Sequence, residues 1–392
     1  MKFDFDKVTD RADTYSVKWN VGEGELPMWV ADMDFKTAPA VIEAVTRRAQ
    51  NGVYGYTYVP DEWYAAYIGH WERRHGFKME KEWLSFTTGV IPAITSVVKR
   101  LTNHGDNVIL QTPVYNIFYN CVENSGRHVL ENPLKFDGKS YSMDFADLEE
   151  KLKHPYTTLM ILCNPHNPVG CVWDKNTLAK VGELCDKYGV KVVSDEIHCD
   201  ITEPDVNYVP FASVDETCKN ISVTTVSVTK AFNLASMQSA AVSVPSENIR
   251  RVVFRGLNSD EVAEAGAFAV EAAVAALEKG DEWLDALREY VSKNRSFLTE
   301  YLKKELPEVN VIKQNATYLV WADVSAFTDD SKALCDHIRK TTGLFITAGS
   351  VYHGNGNKFV RINIACPRSV LADGLTRFVD GIKSYAIVCR GK

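Results

Sequence analysis

Residues 221–236 read ISVTTVSVTKAFNLAS, and the lysine in this stretch decides how fold and function are interpreted. The run ISVTTVSV is made of β-branched and small residues, as in a buried strand. Lys230 follows this run and precedes an apolar stretch. Because lysine is rarely buried without a partner, a solvated lysine at a strand end is the ordinary interpretation. The alternative is a catalytic amine with a lowered pKa, or one bonded to a carbonyl cofactor.

The composition is that of an ordinary globular protein and excludes several function classes. The chain has 392 residues, which is too many for one core and suits two domains. The formal net charge of −7 and the lack of a long basic cluster argue against nucleic-acid binding. No apolar run reaches membrane-spanning length, and the N-terminus MKFDFDKVTDRAD lacks the apolar core of a signal peptide. We therefore expect a cytoplasmic protein.

The cysteines indicate reduced thiols. Nine are present, with no CxxC pair and no Cys/His spacing typical of zinc sites. An odd number of cysteines in a chain with no secretion signal suits a reducing compartment. The sequence therefore predicts neither a disulfide framework nor a metal site.

The pattern of elements predicts an α/β fold. Between residues 41 and 280, apolar strands at 107–111, 158–163, 190–194 and 221–228 alternate with helical stretches, which indicates a mostly parallel sheet covered on both faces. Residues 281–392 begin with a long amphipathic helix and continue with short strands, as in a smaller α+β domain. Residues 1–40 are too few to fold alone, and we expect them to pack on the smaller domain.

Polar residues follow three of the predicted strands. Ligands of open α/β sheets bind at the carboxyl ends of the strands. Asn167 lies in NPHNPVG (164–170), where its amide could donate to an oxygen in a cleft. Asp195 opens DEIHCD (195–200) and needs a cationic partner if it is buried; a solvated loop is the alternative. Lys230 follows the last strand.

Three further segments supply the rest of a candidate site. Gly89 precedes a helix in TTGVIPAI (87–94), whose free N–H groups could bind an anion. Tyr115 in TPVYNIF (112–118) is either a core aromatic or a stacking partner for a planar ring. Arg361 in FVRINIA (359–365) is either an edge residue or a carboxylate clamp. Together these groups fit pyridoxal phosphate (PLP) and an amino-acid substrate.

The order of these motifs resembles a known enzyme family. NPHNPVG, SDEIHCD and SVTKAFN, over nearly the whole chain, look like the fold-type I PLP enzymes of aminotransferase class I/II, which have an aspartate-aminotransferase-like fold. VADMDF (30–35), YGYT (54–57) and FVRINIACP resemble one branch, the cystathionine β-lyase or cysteine-S-conjugate C–S lyase subfamily. One member of that branch modulates maltose-regulon expression, which leaves a regulatory protein partner open for this chain.

The resemblance implies a role for each matching position. Lys230 is expected to bond covalently to the cofactor, and Arg361 to hold the substrate α-carboxylate. The other cofactor positions are Asp195 at the ring nitrogen, Asn167 and His198 at the phenolic oxygen, Tyr115 on the ring, and Gly89, Val90, Ser227 and Thr229 at the phosphate. Tyr56 is expected to reach the phosphate from the neighbouring subunit of a homodimer. Tyr56, Tyr115 and Ala31 are also expected to contact the substrate.

Three positions depart from family patterns. Mainstream aminotransferases of this class carry an arginine where this chain has Gln238, and because the lyase branch also lacks it, Gln238 favours the lyase. Ser236 stands where the branch usually has glycine, which is costly if the backbone there has positive φ. Asn116 follows Tyr115 where some lyases have a second tyrosine, which bears on the sulfur side chain accepted.

The resemblance therefore implies β-elimination on cysteine S-conjugates such as cystathionine, giving a thiol, pyruvate and ammonia. An aminotransferase would use the same lysine, carboxylate and arginine, and it remains the alternative. A protein whose main role is to bind a regulatory partner is a further alternative from another class. A nicotinamide enzyme fits less well, because no GxGxxG follows the first strand.

Overall fold

A seven-stranded sheet organises the computed structural model, which describes residues 3–11 and 13–390. From one edge to the other the strands are Leu84–Thr87, Ala240–Ser243, Ser222–Val226, Lys191–Asp195, Thr157–Cys163, Asn107–Leu110 and His128–Glu131. Only Ala240–Ser243 among these strands runs antiparallel to its neighbours; the four other pairings are parallel. The carboxyl ends of the parallel strands therefore meet at one edge.

Both faces of this sheet are buried, as the continuous apolar strands predict. Neighbouring residues of a strand enter different cores: Ile109 and Val192 belong to one cluster, and Val108 and Val193 to another. Helices on each side supply buried residues to these two cores: Phe145–Leu152, Lys175–Lys187 and Glu216–Ile221 to the first, and Val90–Leu101, Ile117–Glu123 and Glu247–Ser259 to the second. The sheet is therefore the middle layer of a three-layer domain.

We call the chain from the long helix Asp281–Glu305 onward the smaller part of the molecule. Its antiparallel sheet has the strand order Asn310–Val311, Leu319–Asp323, Phe359–Asn363 and Thr347–Ala348. The helices Ser331–Thr342 and Arg368–Arg390 pack against each other beside it. The predicted fold class, a mostly parallel sheet in a large domain with a smaller α+β domain, is confirmed.

The N-terminal segment touches both parts of the molecule. Leu26–Pro27 pairs in parallel with Leu344–Phe345 of the smaller part. Asn233, next to the Lys230 turn, binds the backbone of Met33 in both directions, at 2.9 and 3.0 Å. The segment therefore lies between the two parts rather than on the smaller one alone.

The remaining elements are short or peripheral. The other helices are Pro39–Gln50, Asp61–His75, Val228–Ala231 and Ala269–Lys279. Lys135–Phe136 and Tyr141–Ser142 form a small hairpin. Single 3-10 turns cover Lys81–Trp83, Phe211–Ser213, Ala235–Met237, Gly349–Tyr352 and Gly356–Lys358. Within the described ranges, no helix has both the length and the apolar character needed to cross a membrane.

Candidate active site

The predicted site residues meet at the carboxyl edge of the large sheet. A pocket of about 220 Å³ lies there, between the ends of neighbouring parallel strands. Its walls include these predicted residues: Ala31, Gly89, Val90, Tyr115, Asn167, Asp195, His198, Thr229 and Lys230. Parallel strands bring their ends together whatever their separation along the chain, which explains this convergence.

Lys230 lies on the single helical turn Val228–Ala231, so the strand predicted at 221–228 ends at Val226 instead. The turn starts there because the Ser227 hydroxyl accepts a hydrogen bond from the Thr229 N–H. Lys230 Nζ donates to the Ala31 carbonyl at 2.6 Å. Burial, and next the Arg361 charge, lower the pKa of Lys230 to about 8, while Asp32 and Asp195 oppose this. A reactive neutral amine is therefore accessible near neutral pH.

Asp195 is a buried carboxylate to which no cation of the described residues is bonded. Its side chain is 4% exposed and accepts one hydrogen bond, from the Ile197 N–H at 3.1 Å. Burial raises the pKa of Asp195 to about 7, and the charge of Lys230 offsets this only in part. A cationic group in the pocket would stabilise the ionised carboxylate.

His198 and Asn167 form the wall next to Asp195. Burial lowers the pKa of His198 to about 3, and the charges of Lys230 and Arg361 lower it further, so the imidazole is neutral. His198 Nδ1 has no hydrogen-bond partner among the described residues. Asn167 Oδ1 accepts a hydrogen bond from Arg361 Nη1 at 3.1 Å. These polar groups point to a bound polar ligand, because buried polar atoms are normally satisfied.

Arg361 enters from the smaller sheet. It sits in strand Phe359–Asn363, is 5% exposed, and donates to the Trp29 carbonyl at 2.9 Å. Its Nε has no hydrogen-bond partner among the described residues. A buried guanidinium with a free donor suits a carboxylate ligand.

An outer cavity of about 480 Å³ adjoins the pocket. Ala31, Tyr115 and Lys230 line both spaces, and Arg361 and Asn116 line only the outer one. Burial raises the pKa of Tyr115 to about 12, so its phenol stays protonated. A ligand in the outer cavity therefore reaches both the lysine and the arginine.

The start of a helix also lines the pocket. Gly89 precedes helix Val90–Leu101, whose first N–H groups have no acceptor within the helix. Thr229 lines the pocket here, whereas Ser227 does not and donates its hydroxyl to the Ser239 carbonyl at 2.7 Å. Ser236 lies in a 3-10 turn and does not have positive φ; Gln238, at φ 50°, does, and it also lines the pocket.

Tyr56 is not part of this pocket within one chain. It is fully exposed at 104%, and Tyr54 and Tyr58 beside it are also exposed. The proposed contact of Tyr56 with a cofactor therefore depends on a second subunit.

Sequence reasoning missed two residues that fix the site. Tyr318 donates to the Ala31 carbonyl at 3.1 Å, the same oxygen that binds Lys230. Asn363 donates to the carbonyls of Val30 and Asp32, each at 2.6 Å. Both lie in strand-like segments whose patterns carry no signal for a distant backbone partner.

The pocket fits the cofactor that the sequence analysis expects. A buried carboxylate suits a protonated ring nitrogen, a helix start suits a phosphate, and an amine with a lowered pKa suits an aldehyde. The model for the family "Aminotransferase class I and II" matches residues 22–378.

The chain belongs to the aminotransferase class I and II family. Within it, the chain is similar to cystathionine beta-lyase PatB of Bacillus subtilis, with 41% identity covering 95% of this chain and 98% of PatB. It is 31% identical to protein MalY of Escherichia coli, over 97% of this chain and 99% of MalY. Cystalysin from Treponema denticola, a structure that contains PLP, superposes with a TM-score of 0.94 at 30% identity, covering 98% of this chain and all of that one.

Proposed function

We propose that the protein is a PLP-dependent carbon–sulfur lyase that catalyses β-elimination on cysteine S-conjugates. One water and one S-conjugate would give a thiol, pyruvate and ammonium. The observation that carries this proposal is the placement of Lys230, Asp195 and Arg361 around connected cavities. The similarity to PatB, whose name describes a cystathionine β-lyase, supports the choice of reaction.

The cofactor would be held by the pocket walls. Lys230 would bond to it, Asp195 would keep the proton on its ring nitrogen, and Tyr115 would stack on its ring. Asn167 and His198 would face its phenolic oxygen, and Gly89, Val90, Thr229 and Ser227 would hold its phosphate, Ser227 indirectly through Thr229. When bound, PLP withdraws electrons from the α-carbon of the substrate.

The residues of this chain would then orient the substrate and remove its α-proton. Arg361 would bind the α-carboxylate and so fix the α-carbon beside Lys230, which is an orientation effect. Once the substrate amine had displaced it from the cofactor, Lys230 Nζ would remove the α-proton as general base, for which a pKa near neutrality is favourable. Expulsion of the sulfur group from the β-carbon follows, and the outer cavity has room for that group.

Transamination is the second candidate, because it would use the same three residues. In that reaction Lys230 Nζ would pass on the α-proton while the sulfur group stayed in place. Gln238 in the pocket favours the lyase, since mainstream aminotransferases carry an arginine there.

We also propose a homodimer that shares its active sites. The exposed aromatic segment around Tyr56 supports this, because a run of exposed tyrosines is typical of an interface. Tyr56 of one subunit would contact the phosphate and the substrate in the other. A Tyr56→Phe variant should bind PLP more weakly while its dimer mass is unchanged.

The direct test omits every 2-oxo acid. The purified PLP-loaded protein is mixed with cystathionine or an S-alkyl cysteine, and pyruvate and free thiol are followed. Sustained equimolar release of both is expected; one turnover that resumes only after a 2-oxo acid is added would indicate an aminotransferase. Lys230→Ala should abolish turnover, with Lys81→Ala as an exposed lysine control.

A further inference from the structure

A group of four charges lies beside the active site, and we call it the arm cluster: buried Lys18 and Asp34, and partly exposed Arg11 and Asp32. Lys18 is 1% exposed, and its Nζ lies 2.7 Å from Asp34 Oδ2 and 3.7 Å from Asp32 Oδ1. Arg11 lies 3.1 Å from Asp32 Oδ2 and 3.2 Å from Asp34 Oδ1. The cluster therefore contains two positive and two negative charges, whose separation from water makes each one costly alone.

The arm cluster is joined to both functional side chains through backbone. Asp32 follows Ala31, whose carbonyl accepts the hydrogen bond of Lys230 Nζ at 2.6 Å. The Asp32 carbonyl itself accepts from Asn363, in the strand that carries Arg361. A shift of Asp32 would therefore move the acceptor of Lys230.

Asp32 is also close enough to act by its charge. Asp32 and Lys230 line the same open cleft of about 870 Å³. Asp32 Oδ1 has no hydrogen-bond partner among the described residues, and its nearest compensating charge is Lys18. Low surrounding dielectric strengthens such interactions.

Other groups also face Lys230 and must stay constant in any test. Arg361 and Asp195 act on its charge with opposite signs, and Asp32 acts in the same direction as Asp195. Tyr115 and neutral His198 line the same pocket. Of these groups only Asp32 belongs to the arm cluster, so variants at Lys18 and Arg11 leave all of them in place.

We propose that Lys18 and Arg11 are positioning residues that restrain the carboxylate of Asp32 and thereby limit how tightly Lys230 holds its proton. The ammonium of Lys18 offsets the negative charge that Asp32 presents to Lys230. Loss of Lys18 would leave that negative charge in excess, and loss of the Asp32 charge would do the reverse. This inference rests on the proposed role of Lys230 in binding PLP.

The test is an absorbance titration of the PLP-loaded protein, because protonation of the lysine–cofactor bond changes its visible absorbance. Lys18→Met should raise the midpoint pH by roughly half a unit or more, and Asp32→Asn should lower it. Arg11→Met should raise it by less, because Arg11 is 21% exposed and therefore more screened. Lys18→Arg should restore the wild-type midpoint.

Lys7→Met is the matched control, because Lys7 is an exposed lysine of the same N-terminal segment. A purely structural role would shift the Lys18 and Asp32 variants in the same direction or not at all, and either result would overturn the inference. If Lys18→Met does not fold, Asp32→Asn and Arg11→Met still decide, since they must shift the midpoint in opposite directions. Absence of any lysine-bound PLP absorbance in the wild type would instead refute the proposed function.

Discussion

Asp195 and Asp200 lie on one segment, are equally buried at 4% exposure, and have opposite environments. The Asp195 side chain accepts a hydrogen bond from the Ile197 N–H, and burial raises its pKa to about 7. Asp200 accepts from His70 at 3.1 Å and from His75 at 3.0 Å, and despite its burial these groups hold its pKa well below the usual range. Asp195 is therefore suited to bind a ligand, whereas Asp200 stabilises the fold.

The partners of Asp200 extend the contrast. His70 lies on helix Asp61–His75, and its Nδ1 faces Asp281, the first residue of the long helix of the smaller part, at 3.6 Å. Asp200 thus ties the active-site segment to helix Asp61–His75, and His70 extends the contact to the long helix. Metal-ligand spacing along the sequence does not reveal this group, because its members come from distant parts of the chain.

The largest expected effect is a loss of catalytic activity when Asp195 is replaced. Asp195→Asn keeps the shape of the side chain but removes the charge that would hold a proton on the cofactor ring. We expect kcat/KM for pyruvate release to fall about a thousandfold. Activity within tenfold of the wild type would contradict the assigned role of Asp195.

The next effect concerns Asp200. Asp200→Asn removes the buried carboxylate that binds both His70 and His75. We expect the free energy of unfolding to fall by about 3 kcal/mol. The measurement is urea denaturation of the PLP-loaded protein. Because Asp200 does not line the cofactor pocket, the folded fraction should keep kcat/KM within about tenfold. A fall in kcat/KM as large as that expected for Asp195→Asn would contradict the different roles assigned to the two carboxylates.

Replacing Asp195, unlike replacing Asp200, is expected to stabilise the apoprotein, and by a smaller amount. The folded-state pKa of Asp195 lies above its usual value, so the apoprotein loses stability as pH rises toward and through about 7. Asp195→Asn removes this loss and should stabilise the apoprotein by about 2 kcal/mol at pH 8, and by less at pH 5. Urea denaturation at the two pH values measures the difference. Equal gains at both would show that ionisation of Asp195 is not the cause.

The smallest expected effect on stability concerns an exposed ion pair, which serves as a control for the buried carboxylates. Lys81 and Asp61 form a 2.7 Å ion pair, but both side chains are more than half exposed. Lys81→Met should leave the urea midpoint unchanged, because exposed pairs gain little in water. A clear fall in the urea midpoint would mean that ion pairing stabilises the protein even when it is exposed. Burial would then not be needed to explain the difference between Asp195 and Asp200.

The sequence predicted most of the fold because periodicity and strand composition are local. The strand predicted at 158–163 and the start of the long helix predicted at 281 lie within a residue of Thr157–Cys163 and Asp281–Glu305. The strand predicted at 221–228 ends earlier, at Val226, because the Ser227 side chain caps a helical turn there, which competes with strand geometry.

By itself, the sequence determined that Lys230, Asp195 and Asn167 lie at strand ends, because parallel strands place their carboxyl ends at one edge. Tertiary structure decided the rest. It gave Lys230 the Ala31 carbonyl as partner, Asp195 a backbone hydrogen bond from Ile197, and Asp200 two histidines. Burial and distance between residues far apart in the chain set a charge's environment, and no local pattern of residues records either quantity.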